Sequence, residues 1–273
     1  MIKSSTGEVC TPDDDIKALD LHGTNALRAR LLQIQADTGS GEEALLAEAD
    51  IAVGVEQAAQ AEIDKAQQAL SDFRSYLEQS TGKAAQALPS DDQLAYTYNP
   101  DTQQCEITRL DRAPMVLDIS GSGLDGELPL PPQLMVAELN CHTNQLTALP
   151  KLPTSLTRLN CSSNHLTTLP EVLPPSLTKL YCFGNQLTAL PEVLPASLTE
   201  LYCIDNQLTK LPEVLPASLT ELRCDGNQLS NLPKVLPTSL TKLYCSNNQL
   251  NLSDPATQVA LKELRDRGAA VYA

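Results

Sequence analysis

Six cysteines recur along one stretch of the chain: Cys141, Cys161, Cys182, Cys203, Cys224 and Cys245. Thiols in a row could ligate a metal, pair as disulfides or attack as thiolates. The spacing argues against all three. The last five stand 21 residues apart, and no His keeps step with them from inside a turn. Ordered disulfides between neighbours would break a parallel stack of units about 5 Å apart. A column of small buried hydrophobes accounts for the pattern. Cys203-Ile204-Asp205 forms a Cys-x-Asp triplet, but its Cys belongs to the inward column and its Asp points out, so the match reads as coincidence. In the N-terminal helical segment only Cys10 and His22 offer a nucleophile or base. There is no glycine-rich phosphate loop and no metal-spaced pair. The reading is therefore a protein without catalytic residues, metal or cofactor.

Such a column needs repeated elements to position it. Asn164, Asn185, Asn206, Asn227 and Asn248 follow three residues behind the cysteines, and Pro-Glu-Val-Leu-Pro-Ala-Ser-Leu-Thr-Glu-Leu occurs twice, at 191–201 and 212–222. A short period with fixed Leu, Pro and Asn positions marks a solenoid. Each unit reads Leu-x-x-Leu-x-Cys-x-x-Asn-x-Leu, then x-x-Leu-Pro-x-x-Leu-Pro-x-Ser. This is a leucine-rich repeat with Cys in a strand slot. Leu201 and Cys203 alternate as in a short strand, so both face a core. Stacked strands bury together what one strand cannot. The Asn amides form a structural ladder to backbone groups of their own and the next turn. The Leu-Pro steps suit an extended, polyproline-like return on the convex side.

The residues between the inward ones face the other way, onto a concave surface. Taken turn by turn, the slot before the second Leu holds Glu138, Arg158, Lys179, Glu200, Glu221 and Lys242. The slot before Cys holds Asn140, Asn160, Tyr181, Tyr202, Arg223 and Tyr244; the slot after it holds His142, Ser162, Phe183, Ile204, Asp225 and Ser246. Core slots barely vary while these vary freely. Exposed aromatics beside arginine are the stuff of protein-binding hot spots. The candidate partner site is therefore Arg158, Lys179, Tyr181, Phe183, Tyr202, Ile204, Arg223, Asp225, Lys242 and Tyr244. The competing reading is that the tyrosines only stack along the sheet to stabilise it.

Composition narrows the partners. The 273 residues carry a net charge of −15, which disfavours nucleic acid and anionic membrane. Residues 1–113 hold 9 Lys+Arg against 20 Asp+Glu, and 114–273 hold 10 against 14. Unpaired thiols favour a reducing compartment. The N-terminal residues have no apolar run and do not read as a signal peptide, and no stretch is long enough to span a bilayer.

The remaining segments read as an α+β arrangement. Residues 1–92 form an acidic helical domain: 1–12 loosely held, then one or two helices to about Ala36 with a break at His22-Gly23 in the second case, a turn at Thr38–Gly41, then a helix to about Gln79. Ile63, Ala66, Leu70, Phe73 and Leu77 make a heptad-like stripe. It closes either as an intramolecular helical hairpin, the favoured reading of a monomer, or as a dimeric coiled coil. Residues 93–113 form a β-hairpin cap around Asn99-Pro100-Asp101-Thr102. Residues 114–252 make about seven turns, the first degenerate, with Ile119 in the Cys slot and Ser122 in the Asn slot. Residues 253–273 are a helical C-terminal cap with a final strand at Ala269–Tyr272.

The repeat over 114–252 resembles that of the bacterial leucine-rich-repeat effectors of YopM, IpaH and SspH type, which usually carry Val or Ile where this chain has Cys. The resemblance implies a repeat body that binds a host or partner protein. It also implies passage from the bacterial cytoplasm to the host cytoplasm by secretion without a signal peptide. Some members add a C-terminal ubiquitin-ligase domain with a catalytic Cys-x-Asp, for which this chain has no room. Two functions follow: a non-enzymatic module binding a protein on its concave face, or the substrate-recognition part of a larger ligase.

Overall fold

The computed structural model describes residues 2–3, 9–10, 42–81, 87–99 and 102–273. The expected first helix and the 38–41 turn lie outside the described residues. Strands β1 (Ile2–Lys3) and β2 (Val9–Cys10) pair antiparallel where the sequence reads as loosely held. The chain divides into two compact units, one of residues 1–65 with 98–105 and one of 66–97 with 106–273.

Helix α1 spans Glu42–Thr81. Ala66, Leu70, Phe73 and Leu77 are at most 1% exposed. These four stripe residues are therefore buried within a single chain, while Ile63 is half-buried. The helix is fastened by its side chains: Arg74 pairs with Asp91 at 3.0 Å, and the Tyr76 hydroxyl donates to the Asp125 carbonyl at 3.1 Å. β3 (Leu94–Asn99) and β4 (Gln104–Arg109) form a two-stranded sheet. From within β4, the Ile107 N–H donates to Gln133 O, and Ile107 O accepts from the Met135 N–H. β4 thus bonds to the segment that leads into the strand Val136–Asn140.

The solenoid is built on one parallel eight-stranded sheet. Its members are β5 (Met115–Asp118), β7 (Val136–Asn140), β9 (Arg158–Asn160), β10 (Lys179–Tyr181), β11 (Glu200–Tyr202), β12 (Glu221–Arg223), β13 (Lys242–Tyr244) and β14 (Ala270–Tyr272). A second, two-stranded parallel pair joins β6 (Asp125–Glu127) to β8 (Gln145–Ala148). Helix α2 (Pro255–Asp266) precedes β14, with Pro255 in its first turn and the Asp254 carboxylate capping Thr257 N–H.

Each turn buries the same set. Leu198, Leu201, Cys203 and Leu208 are fully buried, with Leu211 and Leu215 nearly so. Cys105 and the six cysteines of the column are free and buried. Burial pushes the Cys141 thiol up to about 12 and that of Cys245 up to about 11, and raises those of Cys161, Cys182, Cys203 and Cys224 well above the ordinary thiol value. These are inert hydrophobes in the core.

Polar ladders hold the turns in register. The Asn206 amide donates to Cys203 O of its own turn and to Cys182 O of the preceding one, and its Oδ1 accepts from Leu187 N–H. The sequence reading had this column reaching forward; it reaches back, because the carboxamide follows its own strand. Ser218 and Thr220 make two further ladders, donating to Leu198 O and Thr199 O of the previous turn. Buried polar groups are thus satisfied by repetition.

Candidate binding face

On the solvent side of the sheet, parallel pairing sets equivalent slots directly beside one another. Lys179 pairs with Glu200, Tyr181 with Tyr202, Tyr202 with Arg223, and Arg223 with Tyr244. Residues 21 apart in the sequence are therefore cross-strand neighbours, close enough for their side chains to interact.

A continuous stack runs through the slot before Cys, begun by Arg158 from the slot before the second Leu. Arg158 lies 5.4 Å from the Tyr181 ring centroid. Tyr181 and Tyr202 are 4.7 Å apart. Arg223 sits 5.0 Å from Tyr202 and 4.3 Å from Tyr244. Tyr244 then stacks on Tyr272 at 4.6 Å and 8°. Six side chains on six successive strands make one ladder of rings and guanidinium groups.

Two carboxylates lock it. Glu200 accepts from the Tyr181 hydroxyl and from Lys179 at 2.7 Å. Glu221, only 9% exposed, accepts from Tyr202 at 2.9 Å, Arg223 at 3.0 Å and Lys242 at 2.9 Å. Burial alone would raise both carboxyls, but these donors outweigh it and hold them below the ordinary carboxylate range. For the tyrosines, burial and then the hydrogen-bonded carboxylate act together. The Tyr202 hydroxyl is pushed up to about 12, and that of Tyr181 also rises strongly.

Of the ten candidate residues, Arg158, Lys179, Tyr181, Tyr202, Arg223, Lys242 and Tyr244 belong to this network. Phe183, Ile204 and Asp225 lie one slot beyond the cysteines. Phe183 is 38% exposed and Ile204 partly so, with neither ring nor alkyl group in the ladder. Asp225 accepts from Ser246 N–H at 3.1 Å. Sequence reasoning missed Glu200 and Glu221 as organisers, although both stood in the slot map. It also missed Tyr272, which follows α2 and so falls outside the 21-residue count; its place on an expected final strand was the available signal. In the same slot as Phe183, Ser162 is fully buried and its hydroxyl has no hydrogen-bond partner. Among the described residues no group of three His, Cys, Asp or Glu side chains could hold a metal, and no helix is long and apolar enough to cross a membrane.

The Leucine Rich Repeat family profile matches residues 155–175. No curated protein matches the chain. Among solved structures, the chain is similar to YopM, a leucine-rich effector protein from Yersinia pestis. Identity is 34% over 57% of this chain and 48% of that one, with a TM-score of 0.46. YopM from Yersinia enterocolitica matches at 37% identity over 52% of this chain and 35% of that one, TM-score 0.45. The leucine-rich-repeat domain of a Shigella effector matches at 30% identity over 57% of this chain and 80% of that domain, TM-score 0.41. The chain thus spans about half of the first YopM chain and about a third of the second.

Proposed function

The chain belongs to the bacterial leucine-rich-repeat proteins of effector type, and from that membership we propose that it is a non-enzymatic module that binds a partner protein on the concave face of its sheet. In this reading the partner belongs to a host cell, reached by secretion without a signal peptide. The observation that carries the proposal is the pairing of a rigid ladder with an unused apolar edge. Arg158 through Tyr272 are held in place by mutual stacking and by Glu200 and Glu221. A surface ordered in advance loses little side-chain freedom on association. Phe183 and Ile204, beside that ladder, contribute nothing to it and remain open to solvent. They are the anchors a partner would cover, with Asp225 and the edges of the tyrosines at the rim.

The test separates binding from stability. Phe183→Asp with Ile204→Asp leaves the ladder intact, so thermal unfolding should match the parent. The protein recovered with the parent chain from host cells should be lost with this variant. Undiminished recovery by a stably folded variant would refute concave-face binding.

A further inference from the structure

The repeats differ in length by one residue, and the extra residue has a consistent fate. The turn from Cys141 to Cys161 is 20 residues long and returns through Pro150-Lys151-Leu152-Pro153; the next four are 21 long and read Pro-Glu/Lys-Val-Leu-Pro. Leu152, Leu173, Leu194, Leu215 and Leu236 occupy equivalent inward positions, all at most 7% exposed. The added residue is therefore accommodated outside. It leaves Val172, Val193, Val214 and Val235 at 79%, 80%, 79% and 77% exposure. A residue inserted into a solvated bend is ordinarily polar. Here four successive turns present the same apolar side chain on the return segment, away from the sheet face.

Beside that stripe run Glu171, Glu192 and Glu213, with Lys234 at the C-terminal end. Glu171 and Glu213 have no ion-pair partner among the described residues, and Glu192 has only a 3.5 Å contact to Lys210 in which both side chains are mostly exposed. The acidic column is thus available to an incoming cation.

We infer that this valine stripe with its acidic flank docks an amphipathic helix of a partner protein, one with an apolar seam and lysines or arginines along one side. Successive valines are one solenoid turn apart, roughly 5 Å. A helix advances about 5.4 Å per turn. Apolar residues at i, i+4, i+7 and i+11 would meet one valine each, and flanking cations would meet Glu171, Glu192 and Glu213. Lys151 and Lys234 stand at the two ends of this acidic column. The chain's own N-terminal part is a poor occupant, because residues 1–113 carry 20 acidic against 9 basic side chains. A second copy's stripe would set glutamates against glutamates.

The probe is a labelled synthetic helix with leucines at those four spacings and a lysine flank, titrated against the full chain by fluorescence anisotropy. The same helix with a glutamate flank is the comparison. The lysine helix should bind, weaken with added salt, and lose about tenfold or more in affinity to a Val193→Ser, Val214→Ser variant. Because those valines are exposed, the variant's unfolding temperature should be unchanged. A Glu192→Lys, Glu213→Lys variant should exchange its preference to the glutamate helix. No binding, equal binding of both helices, or unchanged binding by the valine variant would overturn the inference. Self-association lost with the valines would assign the stripe to a second copy instead.

Discussion

The guanidinium of Arg223 lies 4.3 Å from the ring centroid of Tyr244, on the neighbouring strand of the same sheet. The Tyr202 ring lies 5.0 Å from it on the other neighbouring strand. One cation therefore fills the place of a missing tyrosine, and the aromatic column continues through it to Tyr272. Arg223→Ala should cost about 1–2 kcal/mol in denaturant unfolding, from two partly exposed cation–π contacts and one donor to Glu221. Arg223→Lys should recover only part of this, since an ammonium lacks the planar fork that stacks between rings. An alanine variant as stable as the parent would show that the ladder does not stabilise the sheet.

The ladder was only partly legible in the sequence. The period gave strand register directly, because parallel neighbours 21 residues apart must pair like with like. It gave the buried Leu and Cys positions for the same reason. It could not give Tyr272, which reaches the sheet only after the α2 crossover and carries no repeat signature. Nor could it rank Glu200 and Glu221 above the other charged slots, since that depends on which hydroxyls and cations converge on each carboxylate. The exposed valines were visible as letters in four successive turns. Their exposure was not, because Val ordinarily signals burial and only the fixed position of the following Leu displaces it outward.

Asn206 fills one rung of the amide ladder, with bonds to Cys182 O, Cys203 O and Leu187 N–H. Asn206→Ala would leave these buried groups without partners and should destabilise by about 3–5 kcal/mol. In a quasi-linear repeat array the loss is shared unevenly. Amide hydrogen exchange should therefore quicken first in the turns flanking residue 206. Uniform protection across the solenoid would contradict this assignment.

Acid and alkali should act on the ladder from opposite sides. Glu200 and Glu221 have folded values below the ordinary 4.5, so their contribution is present above that pH and is lost as pH falls through the lowered values. Tyr202 is raised from 10.0 to about 12, so its contribution is present below 10 and is lost as pH rises toward 12. Glu221→Gln should flatten the acid limb of the stability curve. Tyr202→Phe should remove a late-ionising phenol from the ultraviolet titration. An unchanged acid limb in Glu221→Gln would show that Glu221 is not a source of the pH dependence.

Ser162 offers a test in the opposite direction. Its hydroxyl is buried without a hydrogen-bond partner. Ser162→Ala removes that polar group and only one heavy atom, so it should stabilise the solenoid by about 1 kcal/mol. Thermal unfolding of the two proteins side by side decides it. A clear loss of stability would mean that the hydroxyl is satisfied in solution.

On the proposed function, the partner is recognised on the sheet face between the ladder and its apolar edge. Photo-crosslinking reads this directly, with a reactive phenylalanine analogue placed singly at Phe183, Ile204 and, as a reference on α2, Lys262. One discrete protein adduct is expected from positions 183 and 204 and none from 262. Adducts to a partner from 262 alone, with 183 and 204 silent, would contradict it.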